Sequence, residues 1–184
     1  MKLRALAIFA LLLSIASFAR ADKSAKNWLR DHLDAELNGT LGWRSGLGLD
    51  ERAPGFETLI GGGELMIGLE IVGPVGVFAD GRFVAGGEGT NLYLEGLGGI
   101  GLQLRVARLL HIQLGPTVGQ AFYKHDDALL VGGMLAAGIR LFSLGRGRIS
   151  TAVNLRFDVD GNLGARAALP DQSMSLALGI GIQY

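Results

Sequence analysis

The last thirteen residues of the chain, Gln172–Tyr184, read QSMSLALGIGIQY and decide the fold. Large side chains occupy every second position, and the positions between them hold small or polar residues. The large positions are Met174, Leu176, Leu178, Ile180, Ile182 and Tyr184. Successive side chains of a strand point to opposite faces, so strict alternation of this length predicts a β-strand with one apolar and one small, polar face.

The end of this strand resembles the terminal strand of bacterial outer-membrane barrels. Those strands end on an aromatic residue, with a hydrophobic residue two positions earlier and a glycine five positions back. Tyr184, Ile182 and Gly179 match this insertion signal, whereas Ala177 stands where those barrels carry a polar residue. The resemblance implies that the strand contacts the barrel-assembly machinery and that the barrel lies in outer-membrane lipid.

Met1–Ala21 has the three parts of a signal peptide. Lys2 and Arg4 form a positive start, Leu6–Ile15 is almost wholly apolar, and Ala19-Arg20-Ala21 is a small-x-small cleavage site. The apolar run is shorter than the roughly 18 residues that a membrane-spanning helix needs. We therefore predict export in a Gram-negative bacterium, with cleavage after Ala21.

The charge and composition of the chain argue against several classes of function. Cleavage would remove three of the 17 basic residues and none of the 17 acidic ones, which leaves a formal charge of −3. A mildly acidic chain argues against a nucleic-acid partner. The chain has no cysteine, which excludes disulfides and thiolate metal sites, and we predict neither a metal nor a cofactor. An apolar content of 49% without a second long apolar run suits a transmembrane β-barrel.

Residues 22–33 predict a short periplasmic amphipathic helix. At helical spacing, one face carries Ala25, Trp28, Leu29, His32 and Leu33. The helix is interpreted either as an ordered leader into the first strand or as a clamp or plug under the barrel.

Residues 34–184 predict an all-β fold: an eight-stranded antiparallel up-and-down transmembrane β-barrel that follows the short N-terminal helix. The alternating segments are 34–43, 59–71, 75–84, 91–106, 111–123, 129–142, 148–159 and 172–184. The two longest connections, Arg44–Glu57 and Asp160–Asp171, are interpreted as external loops that alternate with short periplasmic turns. Pro116 predicts a bulge or kink in the fifth strand, because proline cannot donate to the ladder.

An aromatic residue faces outward at the external end of each strand that runs toward the outer side. These residues are Trp43, Phe83, Phe122 and Phe157, with Tyr184 at the opposite rim. Such an aromatic girdle is typical of outer-membrane barrels. A soluble barrel would instead place its apolar face inside, but the many ionisable residues opposite the apolar stripes favour a membrane barrel.

Twelve ionisable residues are predicted to point into the lumen at two depths. Near the periplasmic end are Glu36, Glu70, Arg105, His111, Arg140 and Arg148. Nearer the outer end are Glu64, Asp80, Arg82, Glu95, Arg156 and Asp158. Unpaired buried charges are costly, so these groups predict a structural network of charged pairs, with a gated ion path as the alternative. Eight strands exclude a wide pore. The many inward glycines leave open whether the lumen holds a cavity or a tightly packed barrel.

A lipid A-modifying enzyme is a further alternative, because this chemistry occurs in eight-stranded outer-membrane barrels. It would need a base beside a serine nucleophile. His125 is followed by Asp126 and Asp127, so no His-x-Ser pair exists there, although Ser45 and Ser173 lie near the same rim. We predict no catalytic residues.

In architecture the mature chain resembles the OmpA and OmpX type of small outer-membrane barrel. Alternation, strand count, girdle and terminal signal carry the resemblance. It implies a non-enzymatic role in membrane structure or surface interaction, with a small-solute or ion channel as the alternative. The partner stays unidentified, and the two longest loops are the predicted contact sites.

Overall fold

The structure, a computed structural model, describes residues 28, 32–47, 56–88, 91–106, 109–124, 126–144, 149–164 and 169–183. Within these ranges the strands are β1 (Leu33–Gly46), β2 (Glu57–Val72), β3 (Val75–Glu88), β4 (Asn91–Val106), β5 (Leu110–Tyr123), β6 (Asp126–Leu144), β7 (Ile149–Leu163) and β8 (Gln172–Gln183). Each strand is hydrogen-bonded to its sequence neighbours, and β8 pairs antiparallel with β1. The sheet is therefore a closed barrel, which confirms the predicted all-β, eight-stranded antiparallel fold.

The connections define two ends of the barrel. At the loop end lie the two long connections, 47–56 and 164–171, together with the two-residue connections 89–90 and 124–125. At the turn end lie the short connections 73–74, 107–109 and 145–148. In the described part of the chain, no helix is long and apolar enough to cross a membrane.

The strands run further toward the loop end than the sequence predicted. Arg44 pairs with Ser175 inside β1, and Asp160 pairs with Ser173 inside β7. Both residues begin the loops that the sequence predicts, Arg44–Glu57 and Asp160–Asp171. Their side chains are buried in the lumen, and the small serines of β8 give them room.

The predicted faces are confirmed in β8. Leu176, Leu178 and Ile180 are exposed on the outer surface, whereas Ser175 and Ala177 are buried. The pattern follows from the period of two in a strand, which sends alternate side chains outward and into the lumen.

Of the bulge or kink predicted at Pro116, the bulge is wrong. Thr117 pairs with Gly99 and Leu114 pairs with Leu102, so the register is the same on both sides of the proline. Because proline has no amide hydrogen to donate, the pairing of β4 with β5 is interrupted at Pro116, but neither strand gains an extra residue. Register shifts in the described pairs lie near the turn end, between Glu70 and Val72 and between Arg140 and Phe142.

The inward glycines do not line an empty cavity. A Cβ on Gly132 would collide with the backbone oxygen of Val159 on the next strand. A Cβ on Gly99 would meet the carboxylate of Asp80. The glycines therefore permit close approach of neighbouring strands and of ingoing polar side chains. On the outer face, Gly81 has open space where a Cβ would be.

The contacts divide the chain into an N-terminal unit, Met1–Leu33, and a second unit, Asp34–Tyr184. In the N-terminal unit, Trp28 and His32 have helical backbone, and the two rings stack at 4.6 Å. His32 Nδ1 lies 2.7 Å from the Trp28 carbonyl oxygen. Leu33, the last residue of the predicted helix, instead begins strand β1. Residues 22–27 and 29–31 of that helix and the whole signal peptide lie outside the described residues.

Substitution of a close-approach glycine should destabilise the barrel. We expect Gly132→Ala to lower the free energy of unfolding by roughly 1–3 kcal/mol, because the added methyl group forces the backbones of β6 and β7 apart. The matched control is Gly81→Ala, which should change it by less than about 1 kcal/mol. Urea unfolding of the refolded chain in lipid vesicles measures both, and equal effects would contradict the close-approach argument.

Candidate functional site: the charged lumen

The lumen is filled by side chains in layers. Closest to the loop end is an apolar layer, formed by Phe56, Ile60, Val84, Tyr93, Leu97, Ala121, Tyr123, Ala128, Leu130 and Leu169. The rings of Phe56 and Tyr123 pack edge to face, with centroids 5.3 Å apart. This layer is not predicted from the sequence, where the inward face reads as polar, yet Ile60, Val84 and Leu130 are apolar residues in the inward register.

Hydrogen bonds to backbone carbonyl groups hold the apolar layer in the barrel mouth. The Gly46 amide donates to the Phe56 carbonyl at 2.9 Å, and the Leu47 amide donates to the Gln172 carbonyl at 3.0 Å. The Asn162 side chain donates to the Pro170 carbonyl at 2.6 Å. The ends of both long connections are therefore fastened to strand ends, and Phe56 and Leu169 close the lumen.

Beneath this apolar layer, buried arginines and carboxylates form one continuous network. Its members among the described residues are Arg44, Arg82, Arg156, Glu64, Asp80, Glu95, Asp158 and Asp160. The six residues predicted near the outer end all belong to it. Arg44 and Asp160 were missed, although Arg44 continues the inward alternation of Glu36, Asn38 and Thr40.

Arg156 joins three strands. Its Nε donates to both carboxylate oxygens of Asp158, at 2.9 and 3.1 Å, within β7. Its Nη1 forms ion pairs with Glu64 on β2 and with Asp80 on β3. The side chain is 2% exposed, so these three carboxylates replace the water that the guanidinium loses on burial.

Arg44 and Arg82 continue the network around the lumen. Arg82 lies 2.6 Å from Glu95 Oε1 and 3.0 Å from Asp158 Oδ2. Arg44 lies 2.7 Å from Glu95 Oε2 and 3.0 Å from Asp160 Oδ2. Neutral hydroxyl groups complete the layer, from Tyr93, Thr117, Ser173 and Ser175. Such mutual pairing lets ionisable groups be buried.

A second apolar layer lies on the turn-end side of the network. It consists of Met66, Phe78, Met134 and Ala136. Met66 follows Glu64 by two residues in β2, and Phe78 precedes Asp80 by two in β3, so these side chains lie next along the same inward face. The charged network is thus bounded by apolar side chains on both sides.

The six residues predicted near the periplasmic end do not form a single network. Arg105 pairs with Glu70 at 2.7 Å and with Asp34, which is not among the predicted lumen residues. The Arg140 Nε donates to Gln183 Oε1 at 3.0 Å.

Of the other residues predicted near the periplasmic end, Glu36 and His111 make no ion pair with each other in the described part of the lumen. The buried Glu36 accepts a hydrogen bond from Asn154, and His111 is buried nearby. Arg148 lies outside the described residues.

The outward aromatics lie toward the loop end in two groups. Trp43 on β1 and Phe157 on β7 both pair with Leu176 of β8. Phe83 pairs with Gly96 and Phe122 with Leu94, two positions apart on β4. All four rings are exposed on the outer surface.

The predicted insertion signal falls at the turn end of β8. Ile182 faces outward and Gly179 is buried on the lumen side. Tyr184, which belongs to the predicted girdle and to this signal, lies outside the described residues.

The residues considered for catalysis are not brought together by the described geometry. Ser173 is fully buried, accepts a hydrogen bond from Arg44 and donates one to Asn162. Asp126 accepts a hydrogen bond from the Leu169 amide. His125 lies outside the described residues. Among the described side chains, no group of three histidine, aspartate or glutamate residues could hold a metal ion.

Removal of the arginine that joins three strands should be strongly destabilising. We expect Arg156→Met to lower the free energy of unfolding by about 3–5 kcal/mol, because Glu64 and Asp80 lose their only arginine contact among the described residues. Arg105→Met should cost less, since water can reach its partly exposed carboxylate partners. Urea unfolding in lipid vesicles measures both free energies of unfolding. An equal loss in the two variants would contradict the argument that burial makes an unpaired carboxylate more costly.

Comparison with solved structures finds barrels of the same kind. The crystal structure of Ail, the attachment invasion locus protein of Yersinia pestis, gives a TM-score of 0.52 at 12% identity over 83% of this chain and 98% of that one. Neisserial surface protein A (NspA) gives 0.54 at 8% identity over 82% and 95%. No family model and no curated protein matches the sequence. At this identity the likeness concerns the fold, and the chain has the fold of the small eight-stranded outer-membrane β-barrels.

Proposed function

We propose that this protein is an outer-membrane β-barrel with a structural or surface-interaction role and no enzymatic activity. One observation carries the proposal: the polarity of the barrel is inverted relative to that of a soluble protein. Ile100 is 65% exposed on the outer surface, whereas Arg82 and Asp158 are almost completely buried inside.

The outer surface suits lipid rather than water. Leucine, isoleucine, valine and phenylalanine are exposed around the whole barrel, from Leu37 on β1 to Ile182 on β8. A soluble monomer rarely exposes an apolar patch of more than a few hundred Å², whereas a lipid-facing barrel needs a continuous apolar band. The closed sheet also leaves no unpaired strand edge, as a hydrocarbon environment requires.

The proposed route to the membrane follows from the two ends of the chain. Met1–Ala21 would direct export and be cleaved after Ala21. Gly179, Ile182 and Tyr184 would then present the terminal strand to the assembly machinery. In the proposed orientation, the loop end faces outside the cell and the turn end faces the periplasm.

A surface role would depend on the two long connections. They join β1 to β2 and β7 to β8, and β1 pairs with β8, so the connections are anchored side by side. The Leu47–Gln172 hydrogen bond ties these anchor points together. The names of Ail and NspA describe attachment and surface proteins, and Ail also crystallises with the heparin analogue sucrose octasulfate. By analogy, we place the contact surface of this chain at 47–56 and 164–171, with its partner unidentified.

If the outer surface lies in lipid, an outward arginine should destabilise the barrel more the closer it lies to the middle of the bilayer. Ile100→Arg, at the middle of β4, should lower the free energy of unfolding in vesicles by about 2–4 kcal/mol. Val72→Arg is the matched control, since Val72 is 73% exposed beside the β2–β3 turn and should cost at most about 1 kcal/mol. Urea unfolding in vesicles measures both.

The same two variants distinguish a membrane barrel from a water-soluble barrel. In a water-soluble protein both positions would be exposed to solvent, and either arginine would be nearly neutral. A soluble, folded wild-type chain in plain buffer, with both variants unchanged in stability, would contradict the proposed location.

An ion channel is the weaker alternative, because the described lumen is closed by apolar side chains on both sides of the charged network. We expect the refolded protein to give no discrete conductance steps in a planar lipid bilayer. Regular steps that change in selectivity with Arg82→Gln would support conduction through the network and overturn the closed-lumen proposal.

The proposed absence of enzymatic activity has support from Ser173. Its hydroxyl is buried and engaged with Arg44 and Asn162, so it is not presented to a lipid substrate at the outer surface.

A further inference from the structure

A β-bulge in β2 sets an extra apolar side chain on the outer surface at the turn end. The register of β2 against β3 shifts between Glu70 and Val72, so Ile71 is an extra residue. Successive side chains of a regular strand point to opposite faces, whereas a bulge lets two neighbours share one face. Ile71 and Val72 are both exposed, and no described large apolar side chain exceeds the 73% exposure of Val72.

Strand β6 repeats this arrangement on another side of the barrel. Its register against β7 shifts between Arg140 and Phe142, so Leu141 is the extra residue. Leu141 and Phe142 are both exposed, and the exposure of Phe142 is 70%. The two bulges therefore widen the apolar outer surface just before the turns.

The exposed apolar side chains at this end form a rim on turns that are fastened to the barrel. The Arg105 amide donates to the Pro74 carbonyl at 2.7 Å, and the Arg140 amide donates to the Leu109 carbonyl at 2.8 Å. These hydrogen bonds tie each turn to the next strand. The turn-end rim is defined as Ile71, Val72, Val106, Leu109, Leu141 and Phe142.

The charges of the connections differ between the two ends of the barrel. The turn-end connections contain Arg108, Arg146 and Arg148 and no acidic residue. The loop-end connections contain three basic and three acidic residues. The three arginines lie outside the described residues, but the sequence alone gives the turn-end connections a net positive charge.

The described acidic side chains at the turn end do not offset this charge on the outside of the barrel. Asp34 and Glu70 pair with Arg105, and Glu36 is buried in the lumen. The segment 22–32, before β1, adds three basic and two acidic residues and so does not reverse the sign. An apolar rim beside basic connections is complementary to a lipid with apolar acyl chains and an anionic headgroup.

We propose that the turn-end rim binds anionic phospholipid, of the phosphatidylglycerol class, in preference to zwitterionic phospholipid. The proposal rests on the proposed outer-membrane location, in which the turn end faces the periplasmic leaflet. The rim packs against the acyl chains, and the positive charge of the connections attracts the headgroup. The barrel thereby gathers anionic lipid around one end and not around the other.

Tryptophan fluorescence tests the preference, because bromine on an acyl chain quenches a nearby indole. The turn-end probe is the mature chain with Trp28→Phe, Trp43→Phe and Phe142→Trp, refolded in vesicles of phosphatidylcholine with a minor fraction of phosphatidylglycerol. Bromine is carried either by the phosphatidylglycerol or by an equal mole fraction of the phosphatidylcholine. Brominated phosphatidylglycerol should quench this probe roughly twofold more strongly than brominated phosphatidylcholine.

A loop-end probe and two pairs of charge variants are the matched controls. Trp28→Phe alone keeps Trp43, which is exposed on the outer surface at the loop end, and the two labels should quench it equally. Within the turn-end probe, Arg108→Gln with Arg146→Gln should abolish the preference. Arg52→Gln with Arg166→Gln removes the same charge from the loop-end connections and should leave the preference unchanged. Salt at 1 M, where the Debye length is about 3 Å, should weaken it.

Three outcomes would overturn the proposal and leave the membrane location intact. The first is equal quenching of the turn-end probe by the two labels. The second is a preference that survives Arg108→Gln with Arg146→Gln, since the charge of the connections would then not be its source. The third is an equal preference at the loop-end probe, which would mean that anionic lipid surrounds the whole barrel. Absence of quenching at both probes would instead contradict the membrane location itself.

Discussion

The structure depends on the pairing of β8 with β1, which runs from Glu36↔Gln183 to Gly46↔Ser173. This seam converts an open sheet, with two rows of unpaired amides and carbonyls, into a barrel in which every strand has two neighbours. In hydrocarbon an unpaired backbone group costs several kcal/mol, so closure is the condition for a β-sheet to span a membrane. It also brings the first and last strands together and defines an inside.

Closure explains the energetics of the lumen. Because apolar side chains occupy the outer face, the ionisable residues of the strands point into the lumen. There they form ion pairs in a layer that contains Arg44, Arg82 and Arg156. Apolar layers at either side of this network keep it from water, which strengthens each ion pair and raises the cost of any group left alone.

The low identity to Ail and NspA is consistent with this constraint. A barrel of eight strands demands alternation, closure and a filled lumen, and many side-chain sets satisfy those demands. Function is therefore expected where the constraint is weakest, in the connections 47–56 and 164–171, rather than in the residues that build the wall. Hydrogen bonds at Gly46, Leu47 and Asn162 fasten the ends of those connections to the barrel.

The sequence alone determined the strand number, the two faces of each strand and the depth at which most charges lie, because a period of two is a local property that any stretch such as Gln172–Tyr184 displays. Only the tertiary structure decided the partners. Arg44 and Asp160 join the network, Pro116 keeps its register, and Phe56 and Leu169 reach the barrel mouth through pairings between strands far apart in the chain. Closure sets the register between strands, and register is not encoded in any single segment.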